Sequence, residues 1–268
     1  TTPDHRLASL DPRQFAGLSP DDNVLVNSQW YYPIFEALWQ SKCHVVYCNH
    51  QNMNRNFEKY FSSWHLLTID QTGCAADAVN YLYAQGRRRI FILGMRNEFD
   101  FRDPSWQGYL NGLEQCGLPS NPELQPECDY RLLRTPEQIR SFFLPAIRRA
   151  RNEGGCDAVI ISVAYHTPGI LAALAELGLK VPEDIAIVCV HDNDNMLSQD
   201  IPISAMALPP ETIGREAAAI FAQPAFRPGE KIFRPVLIER ESSRKGAGNG
   251  TGHLPFPPVD TSDAYFSF

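Results

Sequence analysis

The chain has 268 residues, 44% hydrophobic and 21% charged, with a formal net charge of −7 and a pI near 5.5. Such a composition supplies a full globular core and excludes a chain too polar to fold. The acidic balance argues against this chain gripping DNA on its own, because phosphate contacts demand basic surfaces.

Residues 1–20 are polar and aperiodic and read as a lead-in segment. Asn23-Val24-Leu25-Val26-Asn27 has the length of a strand. Tyr32 to Gln40 places Ile34, Phe35 and Leu38 on one helical face. His44 to Cys48 and Leu66 to Asp70 are two more apolar runs of strand length. Gln71 to Gln85 is a helix with Ala75, Val79 and Leu82 inward, closed by Gly86. Arg89 to Gly94 is a strand. Ser105 to Cys116 is a helix presenting Tyr109, Leu110 and Leu113, closed by Gly117.

Thr135-Pro136-Glu137 supplies a capping hydroxyl and a first-turn proline for a helix reaching about Asn152 through Ile139, Phe143 and Ile147. Asp157 to Val163 is a continuous apolar strand, and Pro168 to Leu177 a helix ended by Gly178. Ile185 to Val190 is a strand, Pro210 to Phe221 a helix, and Pro235 to Ile238 a last strand. Beyond Ser242 little apolar order remains, so 245–268 reads as a disordered tail. Strands alternate with helices, and most strands are unbroken apolar runs. That predicts an α/β fold of parallel sheets covered on both faces, with any ligand at the carboxyl ends of the strands.

The seven cysteines, Cys43, Cys48, Cys74, Cys116, Cys128, Cys156 and Cys189, are scattered and form no CxxC pair. They read as small core hydrophobes in a reducing cytoplasm. No apolar run is long enough to span a membrane, and Thr1 to Arg6 does not read as a signal peptide. There is no nucleophile elbow, HExxH or phosphate loop, so neither an enzyme nor a cofactor is expected. Gly246, Gly248, Gly250 and Gly252 do not satisfy a dinucleotide fingerprint.

An ordered series of segments resembles the effector-binding domain of the lactose/galactose-repressor family. Leu82-Tyr83-Ala84-Gln85-Gly86-Arg87-Arg88-Arg89-Ile90 is similar to its helix–strand turn, and Gly108-Tyr109-Leu110-Asn111-Gly112-Leu113 to its Gly-Tyr helix. Ala172-Ala173-Leu174-Ala175-Glu176-Leu177-Gly178-Leu179-Lys180-Val181-Pro182-Glu183-Asp184-Ile185 resembles its most legible segment. Pro209-Pro210-Glu211-Thr212-Ile213-Gly214 and Glu239-Arg240-Glu241-Ser242-Ser243 complete the series over about Asn23 to Ser243.

The resemblance implies two Rossmann-like lobes with parallel sheets joined by three crossovers, near Gly94, Met206 and Arg227. The N-terminal lobe would comprise 21–95 plus 209–226, and the C-terminal lobe 96–205 plus 230–244. It implies a cytoplasmic sensor of a transcription regulator, closing on a small-molecule effector between its lobes, commonly as a homodimer. DNA would be reached only through a module absent from this chain. A solute-binding receptor of a transporter shares the fold and is the alternative.

Two departures from the family stand out. Its strand–helix–strand unit ahead of the segment matching Asn23, and its helix-turn-helix, have no counterpart, so the chain is a fragment or its first lobe is incomplete. Its sugar-holding residues are mostly replaced: Ser105 stands at the family's Arg, Val163-Ala164 at its Asn-Asp, His191-Asp192 at its Asp-Asp and Leu208 at its Gln. That leaves Arg102, Trp106, Tyr165, His191 and Asp192 to orient a guest, in a cleft between the strand ends at Val163 and Val190 and the loop after Asn27. The expected effector is something other than a simple sugar, or the site is vestigial.

Each candidate has a plainer reading beside it. Trp106 and Tyr165 stack on a ligand or pack in the core. Arg102 replaces the missing Arg or is a solvated loop residue. His191 is a cleft residue or a surface histidine. The turn His191 to Asn195 offers alternating oxygens but lacks the Gly and Glu of a calcium loop. Arg87-Arg88-Arg89 reads as a solvated turn rather than a nucleic-acid patch.

Overall fold

A computed structural model describes residues 15, 17–27, 32–49, 57–94, 104–126, 133–208 and 210–244. Nine strands and seven α-helices alternate along these residues. They are β1 (Asn23–Val26), α1 (Tyr32–Ser41), β2 (His44–Asn49), α2 (Glu58–Phe61), β3 (His65–Ile69), α3 (Gln71–Ala84), β4 (Ile90–Leu93) and α4 (Pro104–Gln115). There follow α5 (Pro136–Gly154), β5 (Ala158–Ile161), α6 (Thr167–Glu176), β6 (Ala186–Cys189), β7 (Ser204–Ala207), α7 (Pro210–Phe221), β8 (Gly229–Phe233) and β9 (Val236–Ile238). The expected α/β fold of parallel sheets is present, divided between two units.

The first unit carries the sheet β1-β2-β3-β8, parallel throughout. Val26, Val45, Tyr47 and Leu66 bury one face of it against Phe35, Leu38, Tyr60 and Trp64 from α1, α2 and the turn behind α2. Phe35 lies edge-on to Trp64, with ring centroids 4.9 Å apart. Phe15 and Leu18 also pack on this core, so the end of the lead-in belongs to the unit. The polar residues around them hide this, since two apolar side chains suffice for the contact. α7 packs on β2, with Ile213, Ala217 and Ile220 buried.

The second unit carries β4-β5-β6-β7-β9, parallel except for β9. Alternation sorts its strands between two apolar layers. Phe91, Leu93, Val159, Ile161, Ile187 and Cys189 face α5 and α6. Ile90, Ile92, Ala158, Ile160 and Val188 face α3 and α4. Two glycines let α3 and α4 approach closely: a Cβ on Gly108 would fall 2.0 Å from the Thr72 carbonyl, and one on Gly112 2.7 Å from Val79 Cβ. Helix α5 begins on the expected cap, where the Thr135 side chain accepts the Gln138 N–H and the Gln138 side chain accepts the Thr135 N–H in a capping box, and it ends at Gly155 with φ of 65°.

The division differs from the one the resemblance implies. β4 heads the second sheet, so the first passage of the chain lies at Asp70–Gln71 rather than near Gly94. β8 extends the first sheet beside β3, so 230–234 leaves the assignment to the second lobe, and the third passage lies at Arg234–Pro235 rather than near Arg227. The second lies at Leu208–Pro209. Both displacements turn on strand pairing. Sequence shows β4 as a strand but not which neighbours it takes, and it does not show β8 as a strand. β8, with Gly229, Glu230 and Lys231 ahead of Ile232, carries no apolar run at all. β7 also escapes the apolar pattern: Ser204-Ala205-Met206-Ala207 is buried yet has no β-branched residue.

The arginine turn is not simply solvated. The Arg87 guanidinium donates to the carbonyls of Asp157, Pro182 and Glu183. Arg88 stacks over Tyr83 at 4.1 Å, and the Asp157 carboxylate accepts the backbone N–H groups of Arg88 and Arg89. These arginines tie a helix end to the sheet. No helix among the described residues is long and apolar enough to cross a membrane.

Candidate functional site

Because β4 to β7 are parallel, their carboxyl ends gather at one edge of the second sheet. That edge consists of Gly94, Ser162-Val163, Val190-His191-Asp192 and Leu208. Helix α4 starts at the same edge after β4. The Cys74 thiol, from the first turn of α3, reaches the Val190 carbonyl at 3.4 Å.

The predicted residues fare differently. Tyr165 lies in a 3₁₀ turn, Ala164–His166, directly after β5 and is 43% exposed. Its ring meets that of His166 edge-on at 4.5 Å. His191 is half-buried behind β6. Trp106 is half-buried, packs on the apolar layer under α4 and lies 5.4 Å from the Tyr109 ring. Ser105 is buried. Arg102 and the loop after Asn27 lie outside the described residues.

Asp192 is committed inside the unit. Both its carboxylate oxygens accept from the Arg240 guanidinium at 2.8 Å, and Arg240 also donates to the Ile203 carbonyl. The Asp192 N–H bonds the Met206 carbonyl at 2.9 Å. The side chains are only 11% and 18% exposed, so this bidentate pair joins the ends of β6, β7 and β9 in a poorly hydrated place. Sequence gives no sign of it, since 48 residues separate the partners.

His166 is the residue the sequence reading passed over. Its side chain is fully buried, and neither ring nitrogen has a hydrogen-bond partner. Phe143 lies 5.5 Å away. Burial holds the imidazole neutral and lowers its pKa to about 4. Gly94, with φ of 116°, makes room for it: a Cβ there would come within 2.9 Å of Ser162 Oγ and 3.3 Å of His166 Nδ1. The one available signal was a histidine in the turn after a buried strand. A neighbouring polar network sits deeper. Gln125 bridges the Ile92 N–H and the Tyr109 hydroxyl, which itself donates to the Ile90 carbonyl, satisfying the outer edge of β4.

The first unit has its own polar row at the carboxyl ends of β2 and β3. The buried Asn49 amide donates to Thr68 Oγ1 at 3.2 Å, and Thr68 donates to the Glu230 carboxylate. No motif announces this row, because β8 brings Glu230 to it from 162 residues away.

Among the described residues Cys43, Cys48, Cys74, Cys156 and Cys189 are buried thiols, none of them in a disulfide. Burial pushes the Cys48 thiol up to about 11 and those of Cys156 and Cys189 to about 12. Among the described residues no cluster of histidine, cysteine and carboxylate side chains is placed to hold a metal.

Comparison with known proteins bears on these features. The family described as periplasmic binding protein-like domain matches residues 79–243. The HTH-type transcriptional repressor CytR of Escherichia coli K12 is 30% identical over 190 residues, 66% of this chain and 51% of the relative. A probable opine utilization operon repressor of Rhizobium rhizogenes is 23% identical over 64% of this chain and 82% of its own length. The chain thus spans about half the length of the first of these relatives. Among solved structures, a complex of the transcriptional regulator CelR with cellobiose superposes with a TM-score of 0.69 at 22% identity, covering 89% of this chain and 70% of that one. A LacI-family regulatory protein from Chloroflexus aggregans gives 0.66 at 24% identity, over 83% of this chain and 77% of that one.

Proposed function

We propose, since this chain belongs to the family of periplasmic binding protein-like domains, that it is the small-molecule-sensing domain of a transcription regulator. The effector docks at the carboxyl ends of β4 to β7, and its binding shifts the regulator between states of different DNA affinity. DNA is read by a segment other than the residues described, in a homodimer working in the cytoplasm. The relatives' names support the regulatory role, as CytR and the opine-operon protein are both repressors.

The observation that carries the reading is the chemistry of that strand-end edge. An exposed aromatic ring, a half-buried histidine and a buried neutral histidine follow the strands of that edge, whereas the carboxylate of Asp192 is neutralised by Arg240. A sugar needs several planar, multivalent partners at fixed positions. Ser105, Val163, Ala164 and Leu208 do not provide them. The effector is therefore less hydroxylated than a hexose, with an aromatic portion.

Calorimetry against monosaccharides and small aromatic compounds tests this. The expected result is binding confined to aromatic compounds and weakened at least tenfold by Tyr165→Ala. Micromolar affinity for an ordinary hexose, indifferent to Tyr165→Ala and His191→Ala, would overturn it.

A further inference from the structure

We infer that Gly94, Ser162 and His166 form a specificity notch for the polar edge of a neutral planar effector, an aromatic carboxamide or lactam, with Tyr165 as its outer wall. The inference rests on the effector reading above and names the chemistry of the guest.

A buried imidazole with both nitrogens unpaired is costly, and native proteins keep few such groups. His166 is one, at the strand-end edge where ligands of this fold class dock. The missing Cβ of Gly94 leaves Nδ1 against a bare backbone turn, and Ser162 Oγ, which donates to the Leu93 carbonyl at 3.1 Å, keeps its lone pairs beside it. Among the described residues, Gly94, Phe143 and Tyr165 lie beside the imidazole and are uncharged. Against these an anion or cation would lose its hydration without gaining a counter-charge. A sugar would bring more hydroxyls than Val163 and Ala164 can satisfy.

A neutral imidazole offers one donor and one acceptor. A carboxamide or lactam edge also carries one of each, adjacent and in a plane, so it pairs with Nδ1 in either tautomer and places its other group toward Ser162. Tyr165 stands over the imidazole with nearly half its surface in solvent. Rotation of that side chain opens the notch, and its ring then stacks on the flat face of the guest.

The test uses the full chain with ¹⁵N-labelled histidine and three probes: nicotinamide, benzamide and 2-pyridone. Ribose and glucose serve as controls. At least one probe is expected to move the His166 ring nitrogens saturably. His166→Leu should weaken that probe at least tenfold, and His166→Gln, which keeps a donor and an acceptor, should recover part of the loss. If His166→Leu does not fold, the ring shifts in the unaltered chain decide alone. Silence of the His166 ring with all three probes, or undiminished affinity in a folded His166→Leu chain, overturns the inference. A compound that shifts the backbone signals of Val190 and His191 without touching His166 sinks the notch and leaves the effector reading standing. Unchanged signals at every strand end, with every compound, sink both.

Discussion

Replacing His166 with leucine should flatten the dependence of stability on pH below neutrality. The folded chain holds this imidazole at a pKa of about 4, against 6.5 for the free side chain, because burial disfavours the cation. Between those values the unfolded chain binds the proton and the folded chain does not. Stability linked to His166 is therefore fully present above 6.5 and is lost as pH falls toward 4. The loss amounts to about 2 kcal/mol at pH 5 and about 3 kcal/mol at pH 4. Urea unfolding of the unaltered chain and of His166→Leu, at pH 7.5 and 5.0, isolates it, since other titrations cancel in the difference. The unaltered chain should lose about 2 kcal/mol more than the variant over that interval. At pH 7.5 the variant should be no less stable, because two unpaired buried nitrogens, each costing about 1–3 kcal/mol, are removed. Equal pH slopes in the two chains would refute the reasoning.

Asp192→Ala leaves the Arg240 guanidinium buried without its counter-charge and should cost about 3 kcal/mol in denaturant unfolding; a loss under 1 kcal/mol would mean that solvent already screens the pair. Gly108→Ala drives a methyl group into the Thr72 carbonyl and should cost at least about 2 kcal/mol, read as a lowered midpoint of thermal unfolding. Cys48, Cys156 and Cys189 should resist iodoacetamide at pH 8 in the folded chain and react in urea, as mapped by mass spectrometry.

Much of the fold was legible because its signals are local. Unbroken apolar runs such as Ala158–Ile161, the cap at Thr135 and the stop at Gly117 each act within a few residues. What escaped depends on pairing across the chain. Nothing near Ile90 says that β4 joins β5 rather than β3, and nothing near Gly229 says that β8 adds to β3. The site divides along the same line. Tyr165 could be placed from the strand it follows, and it is exposed there. Asp192 could be placed too, but its partner Arg240 comes from the far side of β9, and nothing near Asp192 in the sequence announces that pairing. His166 shows the reverse: its isolation is visible only once Gly94, Phe143 and Tyr165 surround it.

Hydrogen exchange with and without a saturating effector tests the central claim most directly. Protection is predicted at the amides of 162–166 and 190–192, the carboxyl-terminal edge of the second sheet, with little change at the amino ends of the same strands near Ile90, Ala158 and Ala186. Protection centred on those amino ends, with 162–166 and 190–192 unchanged, would contradict the account.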